Sequence, residues 1–331
     1  MLSLEDFRRR ARGSLLGAAI GDALGAPCEG MTAQAIRAKY GAITGFLDEA
    51  AAGTDDTDFT LFNAWLLIEY GAGITPEQVA AEWRDKLLSG RYFYRPGGFS
   101  DVISTRNLAA GLAPPQSGAF NHQMWSDGVA MAVSAAGIVS AGQPRQAARL
   151  AAVLGSVSNG RDGIYAAQAV AAAISAAMTG AVPETMLDAA QASIPQDCWT
   201  FRALARARAA GAQRGPLPDT LAAIEREAVV HWYPWADLAT EAVSVALAVF
   251  AACAGDFQRA VTAGVSMGRD ADTIGAIVGS LAGAYGGEDA IPPAWRERVR
   301  VSTGTCIGFV AGRRITDMAD ALAQQAWEAV R

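Results

Sequence analysis

The sequence predicts an all-α protein, and three observations carry that prediction. Alanine and leucine, both strong helix formers, are prominent in a composition that is 51% hydrophobic. Runs of β-branched residues are few. Apolar positions recur at helical spacing along most of the 331 residues. Length alone suggests about two domains at roughly 150 residues each. No linker or low-complexity segment divides the chain, however, and a single domain over residues 1–331 is expected.

In chain order, the periodicity predicts helices over residues 4–24 and 58–70, then 75–88, where Pro76 occupies the first turn and its missing N–H costs nothing. A helix over 101–110 leads into 111–122, whose Pro114-Pro115 and Ser117-Gly118 mark a surface loop. Helices follow over 128–140, 144–156, 161–179 and 183–192, the last opened by Pro183. The C-terminal set covers 199–209, 219–227, 238–254, 256–267, 271–284 and 317–330. The apolar runs 164–178 and 243–254 stop short of the ~20 residues that span a bilayer, so they are expected as buried helices of a soluble protein.

Two helices carry a glycine stripe: Gly13, Gly17, Gly21 and Gly25 on one, and Gly275, Gly279 and Gly283 on the other. Each glycine costs about 1 kcal/mol of helix propensity against alanine. A close backbone approach is the compensation a regular stripe implies. These two helices are expected at the centre of the bundle, against each other.

The charge balance of 27 basic and 33 acidic residues, net -6, argues against nucleic acid as a partner. Cys28, Cys198, Cys253 and Cys306 form no C-x-x-C pair and are expected as reduced, buried thiols of a cytoplasmic protein. The polar N-terminus lacks the apolar core of a signal peptide. Only His122 and His231 are histidines, which argues against a zinc site or a Ser-His-Asp triad.

The chemistry concentrates in two short acidic clusters, Gly53-Thr54-Asp55-Asp56-Thr57 and Arg269-Asp270-Ala271-Asp272-Thr273, each opening an apolar helix. Hard cations such as Mg²⁺ and Mn²⁺ prefer such oxygen donors. Taken singly, either cluster is more simply a helix cap, because Asp and Thr favour N-cap positions and suit the positive end of the helix dipole. Two of them suggest a shared pair of ions, since burying four carboxylates is costly without cations. A further carboxylate could manage a proton. Asp127 and Glu29 are candidates, with an N-cap for a helix beginning at Gly128 as the alternative role of Asp127. The aromatic stretches 91–95 and 231–235 are either stacking walls for a base or ordinary packing.

Three blocks resemble the ADP-ribosylglycohydrolases, which include the dinitrogenase reductase-activating enzymes. They are Gly13-Ser14-Leu15-Leu16-Gly17-Ala18-Ala19-Ile20-Gly21-Asp22-Ala23-Leu24-Gly25 with Glu29, the 53–57 cluster, and residues 268–284. The resemblance implies an all-α orthogonal bundle with two divalent cations, Mg²⁺ or Mn²⁺. Thr54, Asp55 and Asp56 would ligate on one side and Asp270, Asp272 and Thr273 on the other, with one aspartate bridging. Glu29 matches a position close to substrate. The implied reaction hydrolyses a glycosidic bond at the ribose anomeric carbon. The implied partner is an ADP-ribosylated protein or a ribose-containing small molecule. A small-molecule N-riboside hydrolase on the same fold and a non-catalytic ligand-binding or structural relative are the alternatives. Two departures bear on substrate identity: Ala132 stands where the family often has arginine, and Ser158-Asn159 replaces a Thr-His pair.

Overall fold

Ser3 and Asp6 fix the start of the first helix by a reciprocal pair of bonds. Ser3 Oγ accepts the Asp6 N–H at 3.1 Å and Asp6 Oδ2 accepts the Ser3 N–H at 2.8 Å. The chain then runs through α1 (Leu4–Gly25), α2 (Ala33–Tyr40), α3 (Asp55–Tyr70), α4 (Pro76–Trp83) and α5 (Phe99–Ala109). Next come α6 (Gln116–Ala119), α7 (Ser134–Val139), α8 (Pro144–Gly155), α9 (Asp162–Ala177), α10 (Pro183–Ala192) and α11 (Trp199–Gly211). The remainder is α12 (Leu217–Ala228), α13 (Ala239–Ala252), α14 (Phe257–Ser266), α15 (Ala271–Gly286), α16 (Pro293–Val299) and α17 (Ile315–Ala329). This is a computed structural model that describes residues 2–213 and 215–331. Among the described residues the fold is all-α, with isolated bridges and no extended strand ladder.

The two glycine stripes face each other. A Cβ added at Gly17 would lie 2.1 Å from the Gly279 carbonyl oxygen, one at Gly21 would lie 1.9 Å from that of Gly275, and one at Gly13 would lie 2.2 Å from that of Gly283. The pairing runs in opposite directions, so α1 and α15 are antiparallel with their backbones touching. One consequence sets up the site: the C-terminal end of α1, with Asp22, lies beside the N-terminal start of α15, with Asp270 and Asp272. Helices α9, α13 and α15 are buried over most of their length, which matches their near-continuous apolar sequence.

Several boundaries differ from expectation. Asp55 and Asp56, expected just ahead of a helix over 58–70, lie with Asp58 in the first turn of α3, as the helix dipole favours. The expected helix over 128–140 breaks into a 3₁₀ turn, Ala130–Ala132, and the short α7. Two carbonyls freed by that break are satisfied from α3: Met131 O accepts from Thr60 Oγ1 at 3.2 Å and Ala132 O from Asn63 Nδ2 at 3.0 Å. Helices α2, α6 and α16 are of 8, 4 and 7 residues, too short for periodicity to reveal. The α6 turn sits inside the expected 111–122 loop.

Candidate metal centre and active-site cleft

Neither acidic helix start is capped by its own side chain. Thr54 is the N-cap of α3 and Asp270 the N-cap of α15, yet neither side chain bonds to its own helix. The simple capping role is thereby removed, and both side chains are free for other partners. Gly268 and Arg269 both hold positive φ, 69° and 60°, a turn that bends the chain into Asp270. A Cβ at Gly268 would lie 2.3 Å from the Met31 carbonyl oxygen. Arg269 N–H donates to Met31 O at 2.7 Å, and Gly30 N–H donates to Arg269 O at 2.8 Å. The turn before Asp270 and the turn carrying Glu29 are thus one unit.

All eight residues singled out from the sequence line one cleft of about 280 Å³: Glu29, Thr54, Asp55, Asp56, Asp127, Asp270, Asp272 and Thr273. Carboxylate oxygens of Asp22, Asp56 and Asp272 lie within 4.8 Å of one another, and so do those of Glu29, Asp270 and Asp272. Asp272 belongs to both triads. Thr273 Oγ1 donates to Asp56 Oδ1 at 3.0 Å and ties the start of α15 to the start of α3.

The cleft wall also holds Asp101 and Asp237, while Arg95 is the one cationic side chain lining it among the described residues. Burial, reinforced by repulsion from neighbouring carboxylates, pushes Asp56, Asp127, Asp270 and Asp272 well above the ordinary aspartate range. Burial also pushes Asp22 and Asp101 up to about 7, and raises Glu29, Asp55 and Asp237. Buried oxygens of Asp127 (Oδ2), Asp237 (Oδ1) and Asp272 (Oδ1) have no hydrogen-bond partner. Crowded, dry, unpartnered carboxylate oxygens are the donor set that hard divalent cations require, and the residues present fit such ions.

Asp127 is not a helix cap. Its backbone amide donates to Asp237 O at 3.1 Å, no α-helix begins at Gly128, and its side chain faces the cleft. Three single antiparallel bridges join the loops around the cleft: Thr32 with Gly268, Tyr94 with Ile307, and Ser126 with Leu238. Gly97 roofs Asp55, since a Cβ there would lie 1.9 Å from Asp55 Oδ2.

The aromatic segment 231–235 lies close to this wall. Tyr233 packs edge-on against Trp125 at 5.4 Å and Trp235 at 5.5 Å, while Trp232 is 82% exposed. Its anchor is Arg269, which donates to Tyr233 O at 3.0 Å, Trp235 O at 2.8 Å and the fully buried Glu241 Oε1 at 2.6 Å. In the 91–95 segment, Tyr92 packs against Phe309 at 5.1 Å, and only Arg95 reaches the cleft. Both histidines are exposed and stand outside it.

The two departures from the family pattern lie beneath the cleft and not in its wall. Ala132 is buried. Asn159 Nδ2 donates to Ser126 O at 2.8 Å, and Ser158 Oγ donates to Asn159 Oδ1 at 2.7 Å. The pair buttresses the segment that carries Asp127. Sequence reasoning missed Asp22, Asp101, Asp237 and Arg95. Asp22 alone gave a usable signal, as the one carboxylate in the buried run 13–25 of α1.

The sequence profile of the ADP-ribosylglycohydrolase family matches residues 3–330. An uncharacterized protein of Archaeoglobus fulgidus is 29% identical over 302 residues, covering 89% of this chain and 92% of that protein. A solved structure described as an ADP-ribosylglycohydrolase-related protein complex is similar in fold, with a TM-score of 0.68 and 23% identity, covering 97% of this chain and 99% of its own.

Proposed function

The chain belongs to the ADP-ribosylglycohydrolase family, and from that premise we propose that it is a metal-dependent hydrolase of the N- or O-glycosidic bond at a ribose anomeric carbon. Its substrate is an ADP-ribosylated protein or a ribose-containing small molecule. The observation that carries this reading is the pair of carboxylate triads sharing Asp272. Thr54, Asp55, Asp56, Asp270, Asp272 and Thr273 are the residues that would hold two ions, Mg²⁺ or Mn²⁺, with Glu29 beside Asp270 and Asp272 in the second triad. When bound, such ions supply Lewis-acid polarisation and lower the pKa of a coordinated water.

The remaining chemistry belongs to the chain. Cleavage builds positive charge at the anomeric carbon, and a wall of fixed carboxylates favours that charge without reorganising. Asp127 is buried, has an unpaired oxygen and keeps its proton well above the ordinary range, which suits an acid that protonates the leaving atom. Glu29, at the exposed lip, suits proton exchange with solvent or gating. Four free, buried cysteines fit a reducing compartment such as the cytoplasm. No helix among the described residues is long and apolar enough to cross a membrane.

Chelator-stripped and Mn²⁺- or Mg²⁺-loaded protein should be incubated with ADP-ribosyl-arginine peptide, ADP-ribosyl-serine peptide and a simple N-riboside, with products separated by chromatography. Metal-dependent release of free ADP-ribose or ribose from at least one substrate is expected. Ion binding with no release from any of them would favour a non-catalytic ligand-binding role.

A further inference from the structure

We propose that Asp22 is a positioning residue that fixes the Thr54 hydroxyl as a metal ligand, and is not a ligand itself. The proposal rests on the reading that the cleft binds divalent cations. Proximity alone would make Asp22 a ligand, because its oxygen lies within 4.8 Å of those of Asp56 and Asp272. Its hydrogen bonds say otherwise.

Asp22 is 0% exposed. Oδ1 accepts the Thr54 hydroxyl at 2.7 Å, and Oδ2 accepts the Thr54 N–H at 2.7 Å, the Thr57 N–H at 3.0 Å and the Thr57 hydroxyl at 2.5 Å. Each carboxylate oxygen offers about two lone pairs; three donors crowd Oδ2, while Oδ1 holds the Thr54 hydroxyl and keeps one lone pair. Ligation through Oδ2 would require breaking one of these bonds in the buried core.

Thr54 stands in the complementary position. Its single hydroxyl proton is taken by Asp22, so both oxygen lone pairs are left for the cleft that the residue lines. Donation to a carboxylate also makes that oxygen a stronger donor to a cation, and it removes the rotamer freedom that would otherwise blur the site. The grip extends to the main chain, since the same carboxylate holds the Thr54 and Thr57 amides at the open start of α3. Gly53 permits it: a Cβ there would lie 2.3 Å from Thr57 Oγ1. The register of α1 against α15 brings Asp22 to this spot.

The test titrates Mn²⁺ into the metal-stripped full chain and reads the electron paramagnetic resonance signal of free Mn²⁺. Asp22→Asn and Thr54→Val should each weaken binding about 10–100-fold, Thr54→Ser should bind like the wild type, and the double variant should be no weaker than its worse single. Wild-type affinity in Asp22→Asn would overturn the proposal, as would losses that multiply in the double variant, the signature of two independent ligands. Should Asp22→Asn fail to fold, Thr54→Val against Thr54→Ser decides, and equal affinity in those two overturns it. A wild type that binds no Mn²⁺ would end the metal reading and this inference together. Normal wild-type binding with an insensitive Asp22→Asn would end the inference alone.

Discussion

Asp272 sits in both carboxylate triads, with one oxygen buried and unpartnered. Replacing it with alanine removes a buried acid that burial and its neighbours hold far above its ordinary pKa. The metal-free Asp272→Ala protein should therefore fold and melt no lower than the metal-free wild type, because a desolvated, crowded group is gone. Saturating Mn²⁺ should raise its melting temperature much less than that of the wild type, since stabilisation by a ligand follows its affinity for the native state. Hydrolysis should be lost, and an active Asp272→Ala enzyme would overturn the site assignment. At this scale the sequence was informative where ligand-type residues cluster locally. Thr54, Asp55, Asp56, Asp270, Asp272 and Thr273 announce themselves as two short acidic runs and share one cleft. Asp101 and Asp237 reach the same cleft from separate segments with no local signature. Ala132 and Ser158-Asn159, whose departure from the family pattern bears on substrate identity, lie outside the cleft wall, and a one-dimensional motif does not say which side of a wall its residues occupy.

The α1–α15 contact is the element on which the site depends, and it was legible as two glycine stripes because few other arrangements justify seven glycines in helical register. What sequence could not supply was the antiparallel register, which follows from three-dimensional pairing of Gly13 with Gly283, Gly17 with Gly279 and Gly21 with Gly275. The short helices and the broken 128–140 segment were equally hidden, since tertiary hydrogen bonds from Thr60 and Asn63 compensate for the lost helical ones. Gly279→Ala measures the contact. Its new Cβ would lie 2.0 Å from the Gly17 carbonyl oxygen, and backbone cannot step aside as a flexible side chain can. Overpacking of this kind costs about 1–3 kcal/mol or more. Gly73→Ala is the matched control, with nothing within 4 Å of the added Cβ and an ordinary φ. Denaturant unfolding should show a clear loss for Gly279→Ala and almost none for Gly73→Ala, and equal stabilities would refute the close-packed stripe.

For the molecule as a whole, the acidic cleft makes stability depend on pH and on metal in opposite senses. Asp101 is buried, is not among the proposed ligands, and has its carboxyl raised from an ordinary 3.8 to about 7 by burial and by repulsion from Asp55. Between those two values the folded chain holds a proton that the unfolded chain has released. Stability from this group is therefore fully present below about pH 4 and is lost as pH rises through 7. The other cleft carboxylates are raised in the same direction, so the chelator-treated protein should melt at a higher temperature at pH 5 than at pH 8. Cation binding has the opposite slope, because carboxylate ligands bind ions only after giving up their protons. Positive charge at the cleft also cancels the repulsion that raised those pKa values. The melting-temperature difference between Mn²⁺-saturated and metal-free protein should consequently be small at pH 5 and large at pH 8. Scanning calorimetry of both forms at the two pH values, at constant ionic strength, checks this. A gap that stays constant, or narrows as pH rises, would mean that the ions do not bind at these carboxylates, and the metal centre would have to be sought elsewhere on the chain.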